Sequence, residues 1–252
     1  MTNEIASAQA GGAFGAGAQT ATKPAAPTAT ALKAAKEFDR RCEVLRERLG
    51  SPDFLANKGL GNEVGFYLFC YDPALELQAR AFARKLIAES RSGALGCAIT
   101  NFNLYDVFLS ICQQQRILDR IPAMEERRGL ERLETQLKRA IGTDDYVAAI
   151  NGAIADGKLA IEPPATPAAQ PSPATAPAQQ PQPAAPDAVF LTGVGEVYPV
   201  LRLHNLFEAL QQRGCFESVP VIAFYPGKYT GQSLSLFGAL PDGNYYRAFD
   251  LL

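Results

Sequence analysis

Residues 190–199 read FLTGVGEVYP, from Phe190 through Thr192, Gly193, Val194, Gly195 and Glu196 to Tyr198 and Pro199. A short apolar run stops at a G-x-G turn and an amphipathic segment follows, which is how an α/β chain passes from strand to helix and where such proteins often hold a phosphate. The dinucleotide fingerprint needs a small residue three places after its second glycine, and that place is Tyr198. A Walker A loop needs a lysine after its last glycine; here Glu196 follows Gly195, setting negative charge beside any bound anion. The simpler reading is mechanical. Two glycines allow a sharp strand-to-helix turn, and Pro199 suits the first turn of the helix that follows.

Working outward, Ala188 to Thr192 reads as a strand before the turn. A helix comes after it, with Leu203, Leu206, Phe207 and Leu210 inward, and then a strand from Val219 to Tyr225. The first half of the chain repeats the logic. Val64 to Cys70 is short, aromatic and closed by Asp72-Pro73; Leu75, Ala79, Phe82 and Leu86 form a helical stripe ending near Ser92-Gly93; a second strand runs from Leu95 to Phe102, with Asn101 and Asn103 marking its end. Strand, helix, strand at this spacing is a right-handed parallel crossover. Phe38, Cys42, Leu45 and Leu49 make an amphipathic first helix that Gly50-Ser51-Pro52 ends, and residues 104 to 157 read as helical throughout. The arginines and lysines there (Arg127, Arg128, Arg132, Lys138, Arg139) alternate with acids, as on a solvated face. The expected fold is α/β: a single domain with a mostly parallel sheet of about four or five strands flanked by helices, plus a helical excursion.

Two segments fall outside that pattern. Residues 1–30 are Ala, Gly, Thr and Pro with almost no large apolar side chain, so a disordered tail is expected. Residues 161–187 hold nine of the 18 prolines among Ala, Gln, Thr and Ser, which favours extended backbone and forbids a core. Strands from both sides must pair in one sheet, so residues 31–160 and 188–252 form one domain that this segment interrupts.

Lys and Arg total 24 against 26 Asp and Glu, a net charge of -2 that excludes the broad basic footprint of a protein built to grip nucleic acid. Five scattered cysteines without a C-x-x-C pair and a single histidine argue against a zinc site and for small buried hydrophobes in a reducing compartment. Without a basic leader or a run of roughly 20 apolar residues, a cytoplasmic protein with no membrane contact is expected.

No G-x-S-x-G elbow is present, and His204 stands on the helix beside inward-facing Leu203. Ligands of open α/β sheets gather at the strands' carboxyl ends. The polar candidates there are Asp72, Asn101, Asn103, Glu196 and Lys228, with His204 a further ligand-site candidate on the helix after the turn, and with Asp72 and Glu196 conceivable as a carboxylate pair for a metal or a proton. Tyr225, Lys228 and Tyr229, joined by Tyr245, Tyr246 and Arg247, form a Tyr- and Gly-rich run better suited to a contact surface, because Tyr and Arg anchor interfaces.

Several stretches then resemble one family. Ser51-Pro52-Asp53-Phe54-Leu55, the run from Asn57 to Val64, Phe69-Cys70-Tyr71-Asp72-Pro73, FLTGVGEVYP, the run from Phe224 to Leu234, Leu236-Phe237-Gly238 and the run from Asn244 to Phe249 are similar, in order, to the BrxB family of the BREX phage-defence systems. The similarity covers roughly residues 35–160 and 188–252; Gly65 and Cys70 depart from it, where a proline and an acidic residue are expected. The resemblance implies a role more than a reaction. It points to a non-catalytic assembly subunit without a cofactor, needed for host DNA methylation and phage exclusion. Its implied partners are a PglZ-like alkaline-phosphatase relative, a BrxC-like ATPase and a PglX-like methyltransferase, with DNA met only indirectly. The alternative is a degenerate nucleotide- or metal-binding enzyme with its site at the strand carboxyl ends. A third reading is direct DNA contact through residues 126–140.

Overall fold

Four apolar runs become the centre of a parallel sheet. They are β1 (Phe66–Tyr71), β2 (Ile99–Asn103), β3 (Ala188–Thr192) and β4 (Val221–Tyr229). The computed structural model describes residues 28–58, 65–158, 160–161, 186–231, 233–244 and 248–251. The expected tail before residue 28, residues 162–185 of the expected insertion, and Tyr245, Tyr246 and Arg247 lie outside the described residues.

Two short strands, β5 (Ser233–Leu236) and β6 (Leu240–Asn244), form an antiparallel extension on the end of β4, and β7 (Phe249–Asp250) returns beside β1. The order is β2-β3-β4-β1-β7, parallel throughout, with Phe66 and Val189 both level with Val221, and Ile99 level with Ala188. All six residues of β1 are buried, which is why it reads as an unbroken apolar run and not as an alternation.

The helices divide between the two faces. Tyr67, Phe69, Phe190, Ile222 and Phe224 pack against α1 (Ala29–Leu49) and α3 (Glu76–Arg91); the short α2 (Pro52–Leu55) adds Phe54 to that layer. Phe69 lies at its centre, 4.9 Å from the ring of Phe224 and 5.8 Å from those of Phe38 and Phe82. Phe66, Leu68, Val189, Leu191, Val221 and Tyr225 face the other way, toward α4 (Leu104–Gln114), α6 (Leu130–Ala140), α7 (Thr143–Ala155), α8 (Val194–Val197) and α9 (Leu203–Gln212). There Phe66 stacks on Phe207 with ring centres 4.6 Å apart. The chain leaves β1 over one face through α3 to the far edge, then returns strand by strand over the other, a doubly wound arrangement.

The parallel α/β architecture expected from the sequence is present, and its details differ. α1 begins at Ala29, two residues inside the expected tail, because the Thr28 hydroxyl accepts the Ala31 N–H at 3.2 Å and caps the helix. The excursion is not one continuous helix. α4 ends at Gln114, a 3-10 turn leads into α5 (Ile121–Arg128), and Gly129 separates α5 from α6, so the arginines of 126–140 lie on two helices. β2 starts at Ile99 because residues 92–97 form turns. β4 continues to Tyr229 where loop was expected: Gly227 lets β5 cross so closely that a Cβ there would lie 2.2 Å from the Ser235 carbonyl oxygen. Pro199 does not open a helix. It sits, after a cis peptide bond, in the link between α8 and α9, and α8 ends before Tyr198, which is extended as a residue preceding proline prefers to be.

Candidate functional site

The turn of FLTGVGEVYP owes its glycines to close backbone approach. Gly193 takes φ +74°, and a Cβ on it would lie 2.5 Å from the side-chain oxygen of Asn103. A Cβ on Gly195 would meet the Phe237 ring at 2.9 Å and Pro226 at 3.1 Å, so β3's exit is pressed against the extension of β4. Asn103 is itself occupied as the cap of α4, its Oδ1 accepting the N–H groups of Tyr105 and Asp106 at 2.9 and 3.2 Å. The helix after the turn has four residues, and its Glu196 is bound by Arg80.

A hollow of about 230 Å³ opens here between α3 and the tips of β2 and β3, lined among others by Glu76, Arg80, Asn101, Asn103, Asp106 and Thr192. One guanidinium organises it. Arg80 Nε donates to Glu76 at 2.8 Å, its Nη2 donates to Glu196, and Tyr71 OH donates to the other Glu76 oxygen at 2.7 Å. Thr192 OH donates to Asn101 Oδ1 at 3.1 Å. The bond to Glu76 holds the Arg80 pKa above its ordinary value against the pull of burial, with Glu196 adding to the rise. Burial, then the bond to Glu76, pushes the Tyr71 phenol well up; burial and then the nearby Glu196 raise the Asp106 carboxyl. Glu76 and Glu196 thus share one counter-ion, an arrangement that fixes geometry.

A second hollow, about 660 Å³, lies beyond Tyr71 between α1 and the β4–β5 extension, with Arg41, Cys70, Asp72, Lys228, Tyr229 and Asp250 in its walls. Arg41 joins α1 to β7 through Asp250 at 2.8 Å and also binds Glu37 at 3.1 Å. Burial works against the charge on Arg41, but the bond to Asp250 leaves its pKa raised. Asp72 is spent on the local backbone, accepting the Ala74 N–H at 2.9 Å. The Tyr229 hydroxyl lies 2.9 Å from the Ala248 carbonyl and 3.0 Å from that of Gly231. Burial, then Asp250, pushes the Cys70 thiol up to about 12; burial takes Cys42 to about 12 and Cys112 to about 11, so these sulfurs stay protonated at neutral pH.

The candidate residues therefore separate. Asp72 and Lys228 line the larger hollow, Asn103 the smaller, and Glu196 reaches the smaller one through Arg80. Asp72 and Glu196 are held by different partners and do not act as a pair. His204, the second residue of α9, lines neither hollow. Tyr225 is corrected outright as a contact residue: it is fully buried between sheet and helices, because β4 is covered on both faces. Lys228 is exposed and Tyr229 half-buried. Sequence reading missed Glu76, Arg80, Arg41 and Asp250. The i,i+4 spacing of Glu76 and Arg80 could have revealed one pair, but Glu196 lies 116 residues from Arg80 and Asp250 lies 209 from Arg41. It also missed the apolar side chains left beside the hollows: Leu77 is 77% exposed, Phe237 42% and Tyr105 40%.

Among the described residues, no three His, Cys, Asp or Glu side chains are grouped to hold a metal ion, and no helix is long and apolar enough to cross a membrane. No solved structure matches the chain. A family model described as BREX protein BrxB matches residues 100–251. A Bacillus cereus (strain H3081.97) BREX protein BrxB is 31% identical over 217 residues, 86% of this chain and 98% of its own. An Escherichia coli O9:H4 (strain HS) BREX protein BrxB is 30% identical over 216 residues, 85% of this chain and 92% of its own. On these matches the chain belongs to the BrxB family of BREX phage-defence proteins.

Proposed function

We propose that the protein is a non-catalytic adaptor of a BREX complex, binding other BREX components through the carboxyl edge of its sheet. The observation that carries this reading is the pairing of two features at that edge. Both arginines nearest the place where an α/β enzyme would put its chemistry are engaged with carboxylates, Arg80 with Glu76 and Glu196, and Arg41 with Asp250. Around them Leu77, Tyr105 and Phe237 stand open to solvent, large apolar side chains of the kind that anchor an interface. The PglZ-like, BrxC-like and PglX-like subunits are the expected partners, and host methylation and phage exclusion the expected outcome of assembly.

The test is quantitative recovery of BREX subunits on tagged full-length protein, from cells carrying the neighbouring operon, in physiological salt with nuclease. Stoichiometric recovery of at least one subunit is expected. Leu77→Asp with Phe237→Asp should reduce it about 30-fold or more, as losing two anchors worth about 1–2 kcal/mol each does. Leu130→Asp, at an exposed position on α6, should leave it unchanged. Recovery of the protein alone, or equal recovery with all variants, would refute the reading.

A further inference from the structure

Among the described residues the sheet has an open side. β2 stands at the end of the strand order and pairs with β3 over its whole length, Ile99 to Asn103, without a bulge. The Ala98 carbonyl accepts the Ala188 N–H at 3.1 Å, which turns the backbone groups of residues 98, 100 and 102 toward β3 and those of 99, 101 and 103 outward. Ile99 bears this out: its N–H is bound not by a strand but by the Ser90 hydroxyl at 2.8 Å. Past that point, among the described residues, the Ile99 carbonyl and the Asn101 N–H and carbonyl have no hydrogen-bond partner. Natural edges are guarded by proline, a charged residue or a bulge, and β2, reading ITNFN, has none of them.

Charge lies along the same side. A hollow of about 560 Å³ lies between α3 and Asn101, lined among the described residues by Arg84, Ile87, Ala88, Arg91, Ser92, Asn101 and Ala160, none of them a carboxylate. Arg84, Ile87 and Asn101 also line the smaller carboxyl-edge hollow, so the two adjoin. Unlike Arg80, neither Arg84 nor Arg91 forms an ion pair among the described residues. They lie two turns apart on α3, on the order of 10 Å, a span that acidic side chains at alternate positions of an extended chain can meet.

We infer that the outer edge of β2 takes an extended acidic segment of a partner protein as an added strand, its backbone pairing with Asn101 and its carboxylates meeting Arg84 and Arg91. This rests on the adaptor reading and specifies one mode of contact. Main-chain bonds at the edge supply affinity, and the arginines supply the choice of sequence.

The test titrates full-length protein with a fluorescent peptide of about eight residues alternating glutamate and valine. Two controls accompany it: the same peptide with lysine for glutamate, and one N-methylated at alternate residues so that it cannot pair. The glutamate peptide should bind at least about tenfold tighter than either control. Arg84→Glu with Arg91→Glu should abolish that preference. Asn101→Pro should abolish binding at a modest cost in melting temperature, because the lost N–H points away from the sheet while the Thr192 hydroxyl loses its bond to Asn101 Oδ1; the arginine variant keeps the proposal testable if the proline disturbs folding. No saturable binding of the glutamate peptide, equal binding of the N-methylated one, or self-association of the native chain lost on Asn101→Pro would overturn the inference. If subunits still co-purify with Asn101→Pro, this edge is refuted while the adaptor reading stands; if none co-purifies with the native chain, the adaptor reading itself fails.

Discussion

Gly195→Ala tests what the G-x-G turn is for. Its backbone is helical with φ outside the left-handed region, so alanine is conformationally acceptable and taken alone would stabilise by about 0.5–1 kcal/mol. The neighbours decide otherwise. The new methyl would lie 2.9 and 3.0 Å from two carbons of the Phe237 ring and 3.1 Å from Pro226, against the 3.5–4.0 Å at which carbon atoms pack. The ring is 42% exposed and Pro226 is buried in β4. Overpacking of this kind costs about 1–3 kcal/mol, leaving a net loss of roughly 1–2 kcal/mol, or about 2–8 °C for a domain of this size. Thermal unfolding by circular dichroism measures it. Since most of the overlap is with the ring, Phe237→Ala in the same chain should recover at least half of the loss, a coupling of about 0.5–1 kcal/mol in the double-mutant cycle. A Gly195→Ala protein that melts with the native one, or a loss that Phe237→Ala does not relieve, would show that close packing is not why glycine stands there.

Two further outcomes follow from the buried groups. The folded thiols of Cys42, Cys70 and Cys112 titrate near 11–12, above the roughly 8.5 of an unfolded cysteine, so they add stability below that value and lose it as pH rises toward their own. Stability should fall between roughly pH 8.5 and 11 with a slope of up to about 1.4 kcal/mol per pH unit per thiol, and Cys112→Ala should flatten it; an unchanged slope in that variant would contradict the burial argument. Arg41→Met removes the link between α1 and the Asp250 carboxylate, whose partners are 15% and 31% exposed. It should cost about 1–3 kcal/mol and speed amide exchange in residues 249–251, and native protection there would show that β7 does not depend on the pair.

The architecture was legible because its signals are local. Continuous apolar runs at 66–71 and 188–192 need cover on both faces, which only a parallel sheet with helices on each side provides, and helical stripes at the right spacing supply that cover. Family membership was legible for a similar reason, since it is carried by short runs that survive in order. The same local logic misjudged Tyr225. Its neighbours Pro226, Gly227 and Lys228 have the composition of a loop, but Tyr225 pairs with Cys70 of β1 and its side chain is packed under the helices on that face of the sheet.

What the sequence by itself determined is the alternation of strands and helices, the sharp turn at 193–195 and the near-neutral charge, each a property of a few adjacent residues or of composition. The tertiary structure alone decided that β2 is the outer strand, that one arginine ties Glu76 to Glu196, and that Arg41 reaches Asp250. Those outcomes depend on which distant segments share the cost of closing long loops by burying the same apolar surface. No spacing along the chain records that choice, because the contacts it creates join residues more than a hundred positions apart.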